Sequence, residues 1–223
     1  MSGLIKSSLA KKYWMAATGL FLCLFLVGHL AGNLQLFIPG EEGKIQFNEY
    51  AKFMTTNPIV RVLSIVTFAS VLFHVIDGII LTVANKKARP QNYAYSKPSK
   101  NSIWTSRNMG VLGTIILAFI ITHLSNFWYK MKFGSLPVDS AGYTDLHGVV
   151  MEAFQSPIYV IIYVVSMVAI GFHLWHGFSS AFKTMGVSHK SYTPLIEKAG
   201  YAFSVIIPLG FALIPIYVFL TNS

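Results

Sequence analysis

Four histidines stand in four long apolar stretches: His29 in "GHLAGN", His74 in "FHVIDGIIL", His123 in "THLSNFW" and His173 in "GFHLWHGFSSAF". An imidazole can ligate a metal, relay a proton or bridge two helices. Inside hydrocarbon an ionisable side chain marks a functional site by default, and an interhelical hydrogen bond is the plain alternative. Each histidine lies 15 or 16 residues beyond a residue that marks entry to its stretch, namely Trp14, Pro58, Arg107 and Pro157. That spacing is about 24 Å of helix at 1.5 Å per residue. A chain that reverses at every crossing therefore carries His29 and His123 to one depth and His74 and His173 to the other. A proton relay would want carboxylates, and Asp77 is the one acid within a span. A structural zinc site wants four ligands close together. Two imidazoles at one level on different helices suit the two axial positions of a haem iron.

A flat macrocycle against a helix needs clearance beside its ligand. Gly78 follows His74 by four residues and Gly177 follows His173 by four, on the same helix face as each histidine. His176 lies about 60° around the helix from His173. It is a candidate for contact with a haem propionate or a neighbouring helix, and a structural hydrogen bond is the alternative. His147 and His189 fall in connections and are expected to be solvated.

The elements that must position these residues follow from composition. Of 223 residues, 54% are hydrophobic and 11% charged, and the mean hydropathy is +0.57. Such a chain cannot cover itself with a polar surface. Five runs are long enough to cross a bilayer: Tyr13–Phe37, Ile59–Ala84, Trp104–Trp128, Ile158–Phe182 and Tyr201–Leu220. The first is too long for a signal-peptide core and is expected to be retained. The expected fold is all-α, one helical membrane domain over residues 1–223 built as a five-helix bundle. Between spans one and two, "IPGEEGKIQFNEYAKFMTTNP" reads as a short surface helix. The inner "NKKARPQNYAYSKPSKNSIWTSRN" reads as extended, and Lys130–Gln155 as a longer loop.

Net charge is +9, and its distribution explains it without nucleic acid. Lys6, Lys11, Lys12, Lys86, Lys87, Arg89, Lys97, Lys100, Arg107, Lys183, Lys190 and Lys198 lie on one set of alternate connections. Glu41, Glu42, Glu49, Asp139, Asp145 and Glu152 lie on the other set. Basic connections stay cytoplasmic, which predicts a cytoplasmic N-terminus and an external C-terminus. Trp14, Trp104 and Trp128 near span ends fit an interfacial aromatic belt. Cys23 is the single cysteine, so neither an intrachain disulfide nor a cysteine-ligated cluster is possible. No phosphate loop, nucleophile elbow or dinucleotide fingerprint is present.

In order and spacing, the histidine motifs together with "FNEYAKFMTTNP" resemble the five-helix, dihaem cytochrome b membrane anchor of succinate:quinone oxidoreductases, along the whole chain. The resemblance implies two haems b. One would be ligated by His29 and His123, far from the soluble subunits, and one by His74 and His173, near them. It further implies a bacterial inner membrane, a flavoprotein partner with covalent FAD, an iron–sulfur partner on the basic face, and a membrane quinone, menaquinone, as acceptor. Electrons would pass from the iron–sulfur subunit through the two haems to the quinone, and the chain would not oxidise succinate alone. Arg107 and Lys183 are candidate propionate partners, with membrane anchoring as the alternative. Glu49, Asn33 and Asn126 are candidates for a quinone pocket. The chain departs from related fumarate reductases at Gly171, where some carry a glutamate, which disfavours a proton route there. A stand-alone transmembrane dihaem reductase, and a haem-free transporter, remain the alternative readings.

Overall fold

The computed structural model describes residues 7–88 and 103–221. In chain order the helices are α1 Ser8–Asn33, α2 Gly40–Thr56, α3 Pro58–Lys87, α4 Trp104–Arg107, α5 Met109–His123, α6 Lys130–Phe133, α7 Leu146–Phe154, α8 Pro157–Thr184 and α9 Thr193–Thr221. A short 3-10 turn, Leu34–Phe37, extends α1, and a π-helical segment, Leu124–Tyr129, joins α5 to α6. The protein is an all-α, multi-pass membrane bundle. Five helical stretches of 25 to 30 residues are long and apolar enough to cross: Ser8–Phe37, Pro58–Lys87, Met109–Phe133, Pro157–Thr184 and Thr193–Thr221.

Local chemistry starts and stops these helices. The Ser7 hydroxyl accepts from the Ala10 N–H at 3.1 Å, and Asn57 caps α3 by accepting from the Ile59 and Val60 amides, with Pro58 in the first turn. Pro157 opens α8 in the same way. Gly40, at φ +80°, turns the chain into α2 in a conformation that costs a glycine little.

Close contacts fix the direction of each helix. Met15 faces Gly78 and Gly19 faces His74, so α1 and α3 run antiparallel. Gly110 faces Thr82, which sets α5 against α3. Gly171 lies against Ser204 and Gly200 against Phe178, so α8 and α9 run antiparallel. Leu30 meets Gly210, and the Tyr217 hydroxyl donates to the Phe37 carbonyl, so α1 and α9 are parallel. One end of the bundle carries the acidic connections and the other the basic ones. Lys6, Arg89, Lys97, Lys100 and most of the stretch expected to be extended lie outside the described residues.

Helix α8 is central, packed on α9, α1 and α5. Its buried Val160, Tyr163, Met167, Ile170 and Leu174 recur every three or four residues, a single stripe on one face. Cys23 packs beside Met167, Ile170 and Leu174, as a small hydrophobe does. Helix α3 is the opposite case. Ser70 is its buried residue, and Ile59, Val62, Leu63, Ile65, Leu72 and Phe73 point outward. That surface suits lipid and would be untenable in water.

Two sequence expectations change. The third crossing starts at Met109 rather than Trp104, because Asn108 (φ −106°, ψ 12°) breaks the helix after one turn, its amide donating to the Trp104 carbonyl at 2.9 Å. The Lys130–Gln155 connection is not a plain loop: it contains α7 and an antiparallel bridge from Val138 to Thr144.

Candidate functional site

The structure brings the histidines together in two facing pairs. At the acidic end His29 of α1 faces His123 of α5, with ring centroids 5.7 Å apart and planes at 84°. At the basic end His74 of α3 faces His173 of α8, at 6.1 Å and 65°. Among the described residues, His, Cys, Asp and Glu side chains do not converge in threes.

Aromatic rings surround the His29–His123 pair. Phe25 stacks on His29 at 5.2 Å, and Phe211 of α9 approaches the same ring at 5.4 Å. Phe119, Phe127 and Tyr163 lie 5.7, 5.4 and 6.2 Å from the His123 ring. The Asn33 amide donates to the His29 carbonyl at 2.8 Å and stands 3.4 Å from His29 Nδ1. His123 Nδ1, Asn126 Nδ2 and Tyr163 Oη are buried without a hydrogen-bond partner, although the last two sit close enough to interact.

The His74–His173 pair has different surroundings. His74 Nδ1 lies 3.2 Å from the hydroxyl of Thr18 on α1. The Met15 carbonyl faces the same imidazole. A Cβ added at Gly19 would stand 3.3 Å from His74 Cε1, so α1 passes directly under that ring. His173 Nδ1 is buried and unpartnered.

The centroid separations of the two pairs, 5.7 and 6.1 Å, are close to those of two imidazoles that share one ion. Imidazole nitrogens bonded to one ion at about 2 Å each put the ring centroids roughly 6 Å apart. The unpartnered Nδ1 atoms of His123 and His173 belong to rings with no competing hydrogen bond. A Cβ at Gly177 or Gly28 would meet nothing within 4 Å, so open space flanks both helices near the histidines. Gly78 and Gly177 are not equivalent, however: the Met15 methyl stands 3.6 Å from the Cβ position of Gly78. Met15 is flexible and fills that gap.

The remaining candidates scatter. His176 is half-buried on α8, one turn from His173. Lys183 donates to Glu197 at 2.7 Å, an exposed pair that is worth little by itself. Arg107 is exposed at the end of α4. Glu49 is also exposed and accepts from the Tyr143 hydroxyl at 3.4 Å, whereas Asn33 and Asn126 stand beside the His29–His123 pair. A Cβ at Gly171 would lie 3.1 Å from the Ser204 carbonyl of α9, so a glycine at this position allows close helix packing.

Sequence reasoning missed Thr18, Gly19 and a polar clamp over the acidic end. Asn48 of α2, 1% exposed, donates to Asp139 at 3.0 Å and Asp145 at 3.1 Å and accepts from the His147 N–H at 2.8 Å. Lys44 pairs with Asp145 at 2.9 Å. Burial alone would raise the Asp145 carboxyl. Hydrogen bonds from the Gly148 N–H, Lys44 and Asn48, with the Lys44 charge, outweigh it and hold the group below its ordinary value. Asp139 is lowered similarly: burial opposes, and bonds from Asn48 and the Tyr143 and Ala141 amides prevail. His147 is half-buried against Phe47, ring centroids 6.0 Å apart, rather than solvated. Burial lowers its pKa, against the pull of Asp145. The only hint in the sequence was the Asp145-x-x-Gly148 start of α7, where the Asp145 side chain accepts from the Gly148 N–H.

No protein-family model matches this chain, and no curated protein or solved structure matches it.

Proposed function

We propose that this chain is the membrane anchor and electron-transfer subunit of a succinate:quinone oxidoreductase, holding two haems b between His29 and His123 and between His74 and His173. The observation that carries the reading is the pair of facing imidazole pairs, at 5.7 and 6.1 Å, on four different helices at the two ends of one bundle. Haem iron held this way supplies one-electron carriage at two depths, between an iron–sulfur partner on the basic, cytoplasmic face and a menaquinone near the acidic, outer face.

The chain's own residues supply ligation, exclusion of water and charge. Phe25, Phe119, Phe127 and Phe211 keep water from one pair. Lys86, Lys87, Lys183, Lys190, Lys198 and Arg107 give the basic end its affinity for a soluble flavoprotein and iron–sulfur pair. Lys183 would have to leave Glu197 to reach a propionate. Asn33 and Asn126 offer amides to a quinone beside His29 and His123.

Purification from the native membrane, with redox difference spectra and identification of bound subunits, tests the reading. Two low-spin b-type signals with flavin and iron–sulfur subunits are expected. Haem without those partners would favour a stand-alone reductase, and a preparation without haem would end the proposal.

A further inference from the structure

We propose that Thr18 is the positioning residue of His74: it holds the imidazole proton on Nδ1 and so leaves the Nε2 lone pair for a metal ion shared with His173. The Thr18 hydroxyl has one proton, and its shortest contact places that proton on the α1 backbone, with the Trp14 carbonyl at 2.8 Å and the Met15 carbonyl at 3.2 Å. Towards His74 Nδ1, 3.2 Å away, Oγ1 then accepts. Thr18 is 6% exposed, so the contact is shielded by packing. Gly19 lets α1 approach the ring edge closely enough for the contact to form.

A hydroxyl bonded back to a carbonyl four residues earlier is common in membrane helices. A second helix's histidine placed on its free lone pair is a further feature. Such outer partners fix a ligand's tautomer and orientation and raise its basicity. Asn33 does not do the same for His29. Its amide nitrogen, a donor that bonds the His29 carbonyl, stands 3.4 Å from Nδ1.

The inference rests on reading His74 as a haem ligand, and its test separates the two. Thr18→Val keeps the side-chain shape and removes the acceptor; Thr18→Ser restores it. In the purified complex, Thr18→Val is expected to weaken ferric relative to ferrous binding at one haem about tenfold, raising its midpoint potential by about 59 mV. The other haem should stay put, and Thr18→Ser should return the first to its original value. Unchanged potentials in Thr18→Val, or both haems moving together, would overturn the role. Solid-state nitrogen-15 spectra of the full chain in lipid, with His74 assigned by its absence from His74→Gln, give a readout without haem. An Nδ1–H signal for His74 is expected, and Nε2–H overturns the assignment. A haem-free protein with the Nδ1–H tautomer would instead sink the functional reading alone.

Discussion

At the acidic end, Phe25, Phe119, Phe127, Tyr163 and Phe211 surround His29 and His123. At the basic end no other aromatic ring stacks on His74 or His173 among the described residues. A threonine hydroxyl, a backbone carbonyl and a close glycine stand there instead. One pair is thus caged by rings, whereas at the other a threonine hydroxyl meets one of the two histidines. A cage of rings tolerates loss of one member but resists water. A hydrogen bond fixes a proton and is lost outright by one atom's removal. The two pairs should therefore fail to different substitutions.

The largest effect belongs to the ligands themselves. His74→Ala or His173→Ala should abolish one b-type signal, and His29→Ala or His123→Ala the other, measured as haem per complex by alkaline pyridine spectra. Loss of the same signal from His29→Ala and His74→Ala, with the other retained, would dissolve the comparison.

Next comes the clamp, which covers only the acidic end. Asn48→Ala leaves Asp139 and Asp145 without their shared amide and should cost about 3 kcal/mol in unfolding free energy. In spectra, the His29–His123 signal should broaden while the other holds its shape. Equal disturbance of both would show that the clamp supports the whole bundle rather than one pair.

Gly32→Ala is a smaller intrusion at the same end. Its Cβ would come within 2.6 Å of the Tyr50 ring and hydroxyl, so the Tyr50 side chain or α2 must shift, at about 1–2 kcal/mol. Thermal unfolding should register this, and a fall in stability equal to that of Asn48→Ala would mean the α1–α2 contact matters more than the clamp.

The smallest effect is on pH dependence. The His147 ring is half-buried with a lowered pKa, so its contribution declines as pH falls below about 6.5, where the unfolded chain takes up the proton first. Asp139 and Asp145 are held below the ordinary value. Their contribution is complete above about pH 3.9 and is lost below it, through the folded values. Melting temperature should therefore drop in two steps on acidification, and less steeply in Asn48→Ala. Parallel slopes in the two proteins would remove the clamp from the account.

The five crossings were legible because hydropathy over some 20 residues is a one-dimensional signal, and His29, His74, His123 and His173 could be sorted by depth because helix rise is constant. What escaped depended on contacts between distant residues. Thr18 meets His74 across 56 positions of sequence, and Asn48 meets Asp145 across 97. Neither residue type is unusual where it stands. Helix α7 is nine residues long, too short to show a period against its loop. The Gly78–Gly177 symmetry failed because an unbranched methionine on another helix, Met15, fills one side.

The π-helical segment Leu124–Tyr129 follows His123 directly. A wide turn of this kind takes up one residue more than an α-turn over the same rise, so every side chain after it is offset by about 100° from the phase that precedes it. Trp128, inside this segment, meets Phe68 of α3 at 5.4 Å. Excising a single exposed residue such as Ser125 would leave the hydropathy profile almost untouched while swinging Trp128 off α3. Homologous chains that differ by one residue at this point should thus be aligned by angular phase, and those with the shorter version should place a different side chain against the position of Phe68.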